Sequence, residues 1–152
     1  MALPNIFQQT VRNELINRIN QINTTTSPEW GKMNAGQMLA HLNVMFELAL
    51  EEKHQRPNAF VRFLLKKMVK DKIVNEKPYA RNSRTAPEMV IKGNRDVAVE
   101  KQRLLSYLQM LSEKGEGYFN GREHPSFGLL SITEWNNAFY KHIDHHLTQF
   151  GC

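Results

Sequence analysis

Apolar positions recur along this chain with a helical period and nowhere with the sustained alternation of a strand. From about Asn5 to Ile22, Phe7, Val11, Leu15, Ile19 and Ile22 share one stripe, the spacing of an amphipathic helix. The segment TTTSPEWGKM has loop composition. Asn34 after it offers an N-cap, with Gln37 three residues on to complete a capping box. A second helix follows to about Lys53, with Met38, Leu42, Met45 and Ala49 inward, and Pro57 breaks the pattern. Residues 58–74 read as a short basic helix carrying Phe60, Phe63, Leu64 and Met68. From Val74 to Asn94, interrupted by Pro78 and Pro87, the chain forms a connection too long for a tight helix hairpin, which suggests a crossover.

A further helix runs from about Arg95 to Glu113 on Val97, Leu104, Leu108 and Leu111, and EKGEGYFNGREHPSFG returns to loop. The last helix opens on a capping box of Ser131 and Glu134, extends to Gln149 and stops at Gly151. No internal repeat is present. Four long amphipathic helices and one short one predict an all-α bundle, a single domain over 1–152.

Composition narrows the classes. Hydrophobic residues make up 41% and charged residues 23% of 152, globular proportions that argue against disorder. The one cysteine, Cys152, can build neither a disulfide framework nor a cysteine zinc site. MALPNIFQQTVRNEL has no basic segment leading into an apolar run, so no signal peptide is expected. No stretch approaches the ~18 apolar residues of a membrane span, and a cytoplasmic protein without a membrane partner is the expectation. The net charge of +5 raises nucleic acid as a partner. The excess, however, is local to Arg62, Lys66, Lys67, Lys70, Lys72, Lys77, Arg81 and Arg84, and neither an RNA-binding aromatic signature nor zinc-finger spacing accompanies it. A solvated helix face, with no nucleic acid, is the simpler reading.

The candidate chemistry lies in six histidines: His41, His54, His124, His142, His145 and His146. At about 100° per residue, with Trp135 at zero, His142 falls near −20° and His146 near 20°, flanked by Phe139 near 40°. His145 falls near −80°, at the edge of that face, and Asp144 points directly away from it. Imidazoles one turn apart on a buried face can converge on one ion. On the second helix, with Met38 at zero, His41 falls near −60°, inside the apolar arc. A lone core histidine is ordinarily a hydrogen-bonded packing residue. Two isolated imidazoles on the last helix are costly to bury unless something accepts from or ligates their nitrogens; a metal does so, imidazole suits zinc, nickel, copper and iron, and His41 is the third candidate ligand. Glu47, opposite Met38, and His54, near the helix end, are expected in solvent. Met33, Met38 and Met45 read as packing, and Trp30 and Trp135 as core or entrance-lining aromatics.

WGKMNAGQMLAH (30–41), KPYARNSRTAPEM (77–89) and HPSFGLLSITEWNNAFYKHIDHHLTQFG (124–151) together resemble a branch of unknown function within the DinB-like superfamily of metalloenzymes. The resemblance covers nearly the whole chain. It implies an up-down-down-up four-helix bundle with a long crossover, and a divalent ion held by one histidine of the second helix and an HxxxH pair of the last. Those positions are His41, His142 and His146. It places His124 near the site as a group that could support a ligand or touch substrate; the alternative is a residue fixing the loop beside Pro125. It further implies a small-molecule substrate, zinc or nickel as the ion, a low-molecular-weight thiol as cosubstrate, and a homodimer. The activity implied is that of a thiol-dependent transferase, or else a hydrolase. Against both stands a non-catalytic metal- or ligand-binding bundle, because a fold does not fix a function.

Overall fold

A computed structural model describes residues 2–51 and 53–152. The chain is mostly helical. Among the described residues, the helices are α1 (Gln9–Gln21), α2 (Ala35–Leu50), α3 (Ala59–Met68), α4 (Lys70–Val74), α5 (Val97–Phe119) and α6 (Ile132–Gln149). None is long and apolar enough to cross a membrane.

The helix starts follow local chemistry. Asn34 accepts the Gln37 amide, and the Gln37 side chain returns to the Asn34 N–H. Ser131 and Glu134 make the same reciprocal pair at α6. In α1 the start is four residues later than the apolar stripe suggests. Asn5 takes the Phe7 N–H on its side chain and the Gln8 N–H on its carbonyl, at 2.9 Å each, a turn that competes with helix.

Three elements depart from expectation. The 58–74 helix is divided at Val69 into α3 and α4. The helix expected to end at Glu113 resumes after Gly115 and reaches Phe119. Gly115 itself sits at φ 68°, ψ 176°, a conformation open to glycine at little cost, so the stop was correct in place but not final. Within the predicted loop, Glu123–His124 (β1) pairs antiparallel with Gly128–Leu129 (β2) in a short hairpin, too brief to show an alternating pattern.

At the centre lies α2, packed along α5 on one side and against α6 on another, while α1 closes the core against α5 and α6. Phe46 stacks on Phe139 at 5.1 Å and on Tyr107 at 5.3 Å, and Phe139 stacks on Trp135 at 5.2 Å, so aromatics of α2, α5 and α6 form one column. Because α2 is covered nearly all round, the expectation that its polar face meets solvent fails. Glu47 is buried. It accepts from Lys53 at 2.9 Å, from His54 at 2.7 Å and from Arg103 at 2.5 Å. His54, also expected in solvent, is thereby drawn into partial burial.

Candidate metal centre

Helix geometry brings the inward histidines of α2 and α6 to one place. His142 and His146 stand one turn apart with ring centres at 4.9 Å, and His41 reaches between them at 4.8 and 4.7 Å. One nitrogen from each of the three lies within 4.8 Å of the others, and the Nε2 atoms of His41 and His142 are 2.8 Å apart. Nitrogens around a tetrahedral ion at ~2.0–2.1 Å stand ~3.3 Å from one another, a separation inside this range.

The outward nitrogens are already engaged. His41 Nδ1 donates to the Met89 carbonyl at 2.8 Å, and His146 Nδ1 donates to Gln149 Oε1 at 2.7 Å. Gln149 is itself oriented, because its Nε2 donates to the Trp30 carbonyl at 2.7 Å. A carbonyl oxygen can only accept, so each of these nitrogens carries the proton and each Nε2 is left with a bare lone pair. Among the described residues, His142 Nδ1 meets only the Met45 thioether, at 3.2 Å. If His142 protonates Nδ1, two lone pairs face each other at 2.8 Å; if it protonates Nε2, its Nδ1 is a buried acceptor beside a sulfur that cannot donate. Either way one buried acceptor goes unanswered.

A proton is a poor remedy. The three residues are 3%, 9% and 8% exposed, and burial disfavours a charged ring. Desolvation holds His41 below its ordinary range despite the Met89 bond, drives His142 well below, and takes His146 down to about 3. The three rings are therefore neutral at physiological pH and could ligate an ion, and the Nδ1 bonds of His41 and His146 are of the kind that orient metal-bound histidine.

His145 stands apart, as the facing angles imply. Its ring packs against His146 at 5.1 Å, Tyr79 at 5.5 Å and Trp30 at 5.9 Å. It lines a cleft of about 230 Å³ with Trp30, Tyr79, Arg81 and Lys141. His124 is not among the assembled histidines. Its ring stacks on Phe127 at 4.5 Å, tilts against Trp135 at 5.5 Å, and its Nδ1 accepts the Ser126 N–H at 3.1 Å, all within or beside the hairpin. Trp135 is core, and Trp30 lines the cleft.

Several residues of the site lie outside the sequence reading. Gln149, three residues after His146 and on the same face, carried a legible signal. The Met89 carbonyl carried none, since a backbone oxygen leaves no trace in composition. Tyr79, raised in pKa by burial, places its ring 6.3 Å from that of His142. Lys141 anchors the end of α4: its Nζ donates to Lys72 O, Asn75 O and Asn75 Oδ1 at 3.0, 2.6 and 3.0 Å, and lies 4.6 Å from the Tyr79 ring centre. Burial lowers its pKa to about 8, with Asp71 opposing. Met45, read as packing, also touches His142.

Residues 4–151 match the family model described as "Protein of unknown function (DUF1569)", and the chain belongs to that family. Comparison with curated proteins and with solved structures gives no match.

Proposed function

We propose that this DUF1569 protein holds one divalent transition-metal ion on the Nε2 atoms of His41, His142 and His146 and uses it in catalysis on a small molecule. The observation that carries the reading is the pair of imidazole nitrogens 2.8 Å apart, with the outward nitrogen of His41 committed to a carbonyl. A cation answers both lone pairs at once. Zinc and nickel are the proposed ions, as both accept imidazole readily. When bound, such an ion supplies a Lewis acid that lowers the pKa of a thiol or water and polarises a carbonyl.

The protein's own part is to hold the three rings neutral and oriented, through Met89, Gln149 and burial, and to admit substrate. The cleft lined by Trp30, Tyr79 and His145 is the proposed approach, because Tyr79 touches His142 and His145 touches His146. Likeness to the DinB-like superfamily supports a thiol-dependent transferase first and a hydrolase second. It also supports an up-down-down-up arrangement of the four long helices, to which the long connection after α4 is suited, and a cytoplasmic homodimer. A second reading, an ion that only ties α2 to α6, draws support from how little of the three rings is exposed.

Metal analysis of protein purified without added metal is the direct test, with about one divalent ion per chain and a lower melting temperature after chelation expected. Absence of metal, together with no melting shift on adding zinc or nickel, overturns the site. Biological thiols added to the cobalt-loaded protein should shift its visible absorption; an unmoved spectrum removes the transferase reading.

A further inference from the structure

The amphipathicity of α3 is turned outward. Phe60 is 70% exposed, Met68 65% and Phe63 59%, with Val61 and Leu64 also in solvent, an arc of about 160° on the helical wheel. Leu65 is the α3 residue that packs partly against the core, and Arg62, on the inner side, is tied at 2.5 Å to Glu123 of the hairpin. A helix ordinarily buries its apolar stripe, so a stripe this wide in solvent marks a contact surface.

Charge says what kind. Residues 59–74 contain five basic side chains and one acidic one, most of the chain's net +5. Lys66 and Lys67 have no carboxylate partner among the described residues, and Lys67 Nζ lies 6.0 Å from the Phe63 ring centre, its stem along the apolar face. Beside the helix a groove of about 220 Å³ runs between α3 and the hairpin, lined by Arg62, Phe63 and Lys66 on one wall and Ser126, Phe127 and Gly128 on the other. Ser126 is a buried residue on that wall. Leu129, next to Gly128 in β2, is 69% exposed and extends the apolar surface past the groove.

We propose that α3 and the hairpin form a docking surface for an anionic lipid bilayer, with Phe60, Phe63, Leu64 and Met68 at the acyl boundary and a lipid phosphate in the groove at Lys66 and Ser126. Large apolar residues ringed by lysine on one helix face are what an interfacial helix needs. A second copy of the chain would set the same cluster of lysines against itself, and one ten-residue helix face falls short of the ~800 Å² per subunit of a stable interface. The expectation of no membrane partner rested on the lack of a spanning segment, which has no bearing on a helix lying in the interface plane. This inference is independent of the metal centre.

Co-sedimentation of the full chain with vesicles tests it, using phosphatidylcholine alone and with about 30% phosphatidylserine. Binding to the anionic vesicles only is expected. Lys66→Ala with Lys67→Ala should weaken it by roughly tenfold or more, and Phe60→Ser with Phe63→Ser should abolish it. Circular dichroism and metal content, which should be unchanged in these surface variants, keep misfolding from passing as a result. No sedimentation with anionic vesicles overturns the proposal and leaves the face to a protein with an acidic rim. Equal binding to neutral vesicles overturns it too, as does a dimer in analytical ultracentrifugation that Phe60→Ser with Phe63→Ser splits.

Discussion

Two buried polar clusters lie on different faces of α2, and they differ in whether their charges close. Around Glu47 the charges are balanced: the carboxylate takes Lys53, His54 and Arg103, Arg103 also holds Glu100 at 2.8 Å, and Glu100 accepts from Asn43, whose own Oδ1 is without a partner among the described residues. Around His41 one buried ring acceptor is left over whichever nitrogen of His142 carries the proton. The first cluster balances its charges with the chain's own residues and ties α2 to α5. The second brings one histidine of α2 and two of α6 together and could hold a cation between them. Burial alone does not mark a candidate site; several buried metal-ligating nitrogens converging on one place do.

The comparison breaks most directly at the histidines. His146→Ala should raise the dissociation constant for zinc or nickel by about a hundredfold to a thousandfold, read by competitive titration, while the metal-free variant keeps its melting temperature within a few degrees. A variant that still binds tightly would show that the three acceptors are packing residues after all.

Glu47→Ala should do the reverse, leaving metal affinity near wild type but lowering stability by about 2 kcal/mol, discounted from the cost of a fully buried pair because Arg103 is partly exposed. Chemical denaturation measures it. Loss of metal binding without loss of stability would collapse the distinction between the clusters.

Gly31 sharpens the second cluster. It sits at φ 86°, and a β-carbon there would collide with the Gln149 amide that orients His146. Gly31→Ala should therefore weaken metal binding by about tenfold to a hundredfold, the usual cost of losing a residue that orients a ligand. Unchanged affinity would show that Gln149 has no part in the site.

Acid should probe the first cluster. Lys53, His54 and Arg103 outweigh the burial that opposes them and hold the Glu47 carboxyl down at about 2, against 4.5 for an ordinary glutamate. The unfolded chain thus binds this proton more readily, so the stabilisation is present above pH 4.5 and is lost as pH falls through about 2. Calorimetry across that window should show the wild-type melting temperature falling more steeply than that of Glu47→Ala. Parallel slopes would remove Glu47 as the cause.

The smallest effect expected is at His145, whose replacement by alanine should alter metal affinity less than tenfold, under about 1.4 kcal/mol. If His145→Ala loses the metal while His146→Ala keeps it, α6 is rotated from the register described.

What the sequence determined was local or periodic. The capping boxes at Asn34 and Ser131 join residues three apart, and the inward angles of His41, His142 and His146 follow from 3.6 residues per turn, so each could be read without knowing the fold. What only the tertiary structure decided depends on which faces become covered. A helical wheel finds the apolar side but assumes that the other meets water. In α2 that assumption fails because α5 covers Asn43 and Glu47, and in α3 it fails in the opposite sense, because the polar side turns toward the hairpin and the apolar side is left bare. The Met89 carbonyl opposite His41, 48 residues away, belongs to the same class. Its position is set by where the 87–89 turn packs on α2, a long-range outcome that residue identity at 89 does not encode.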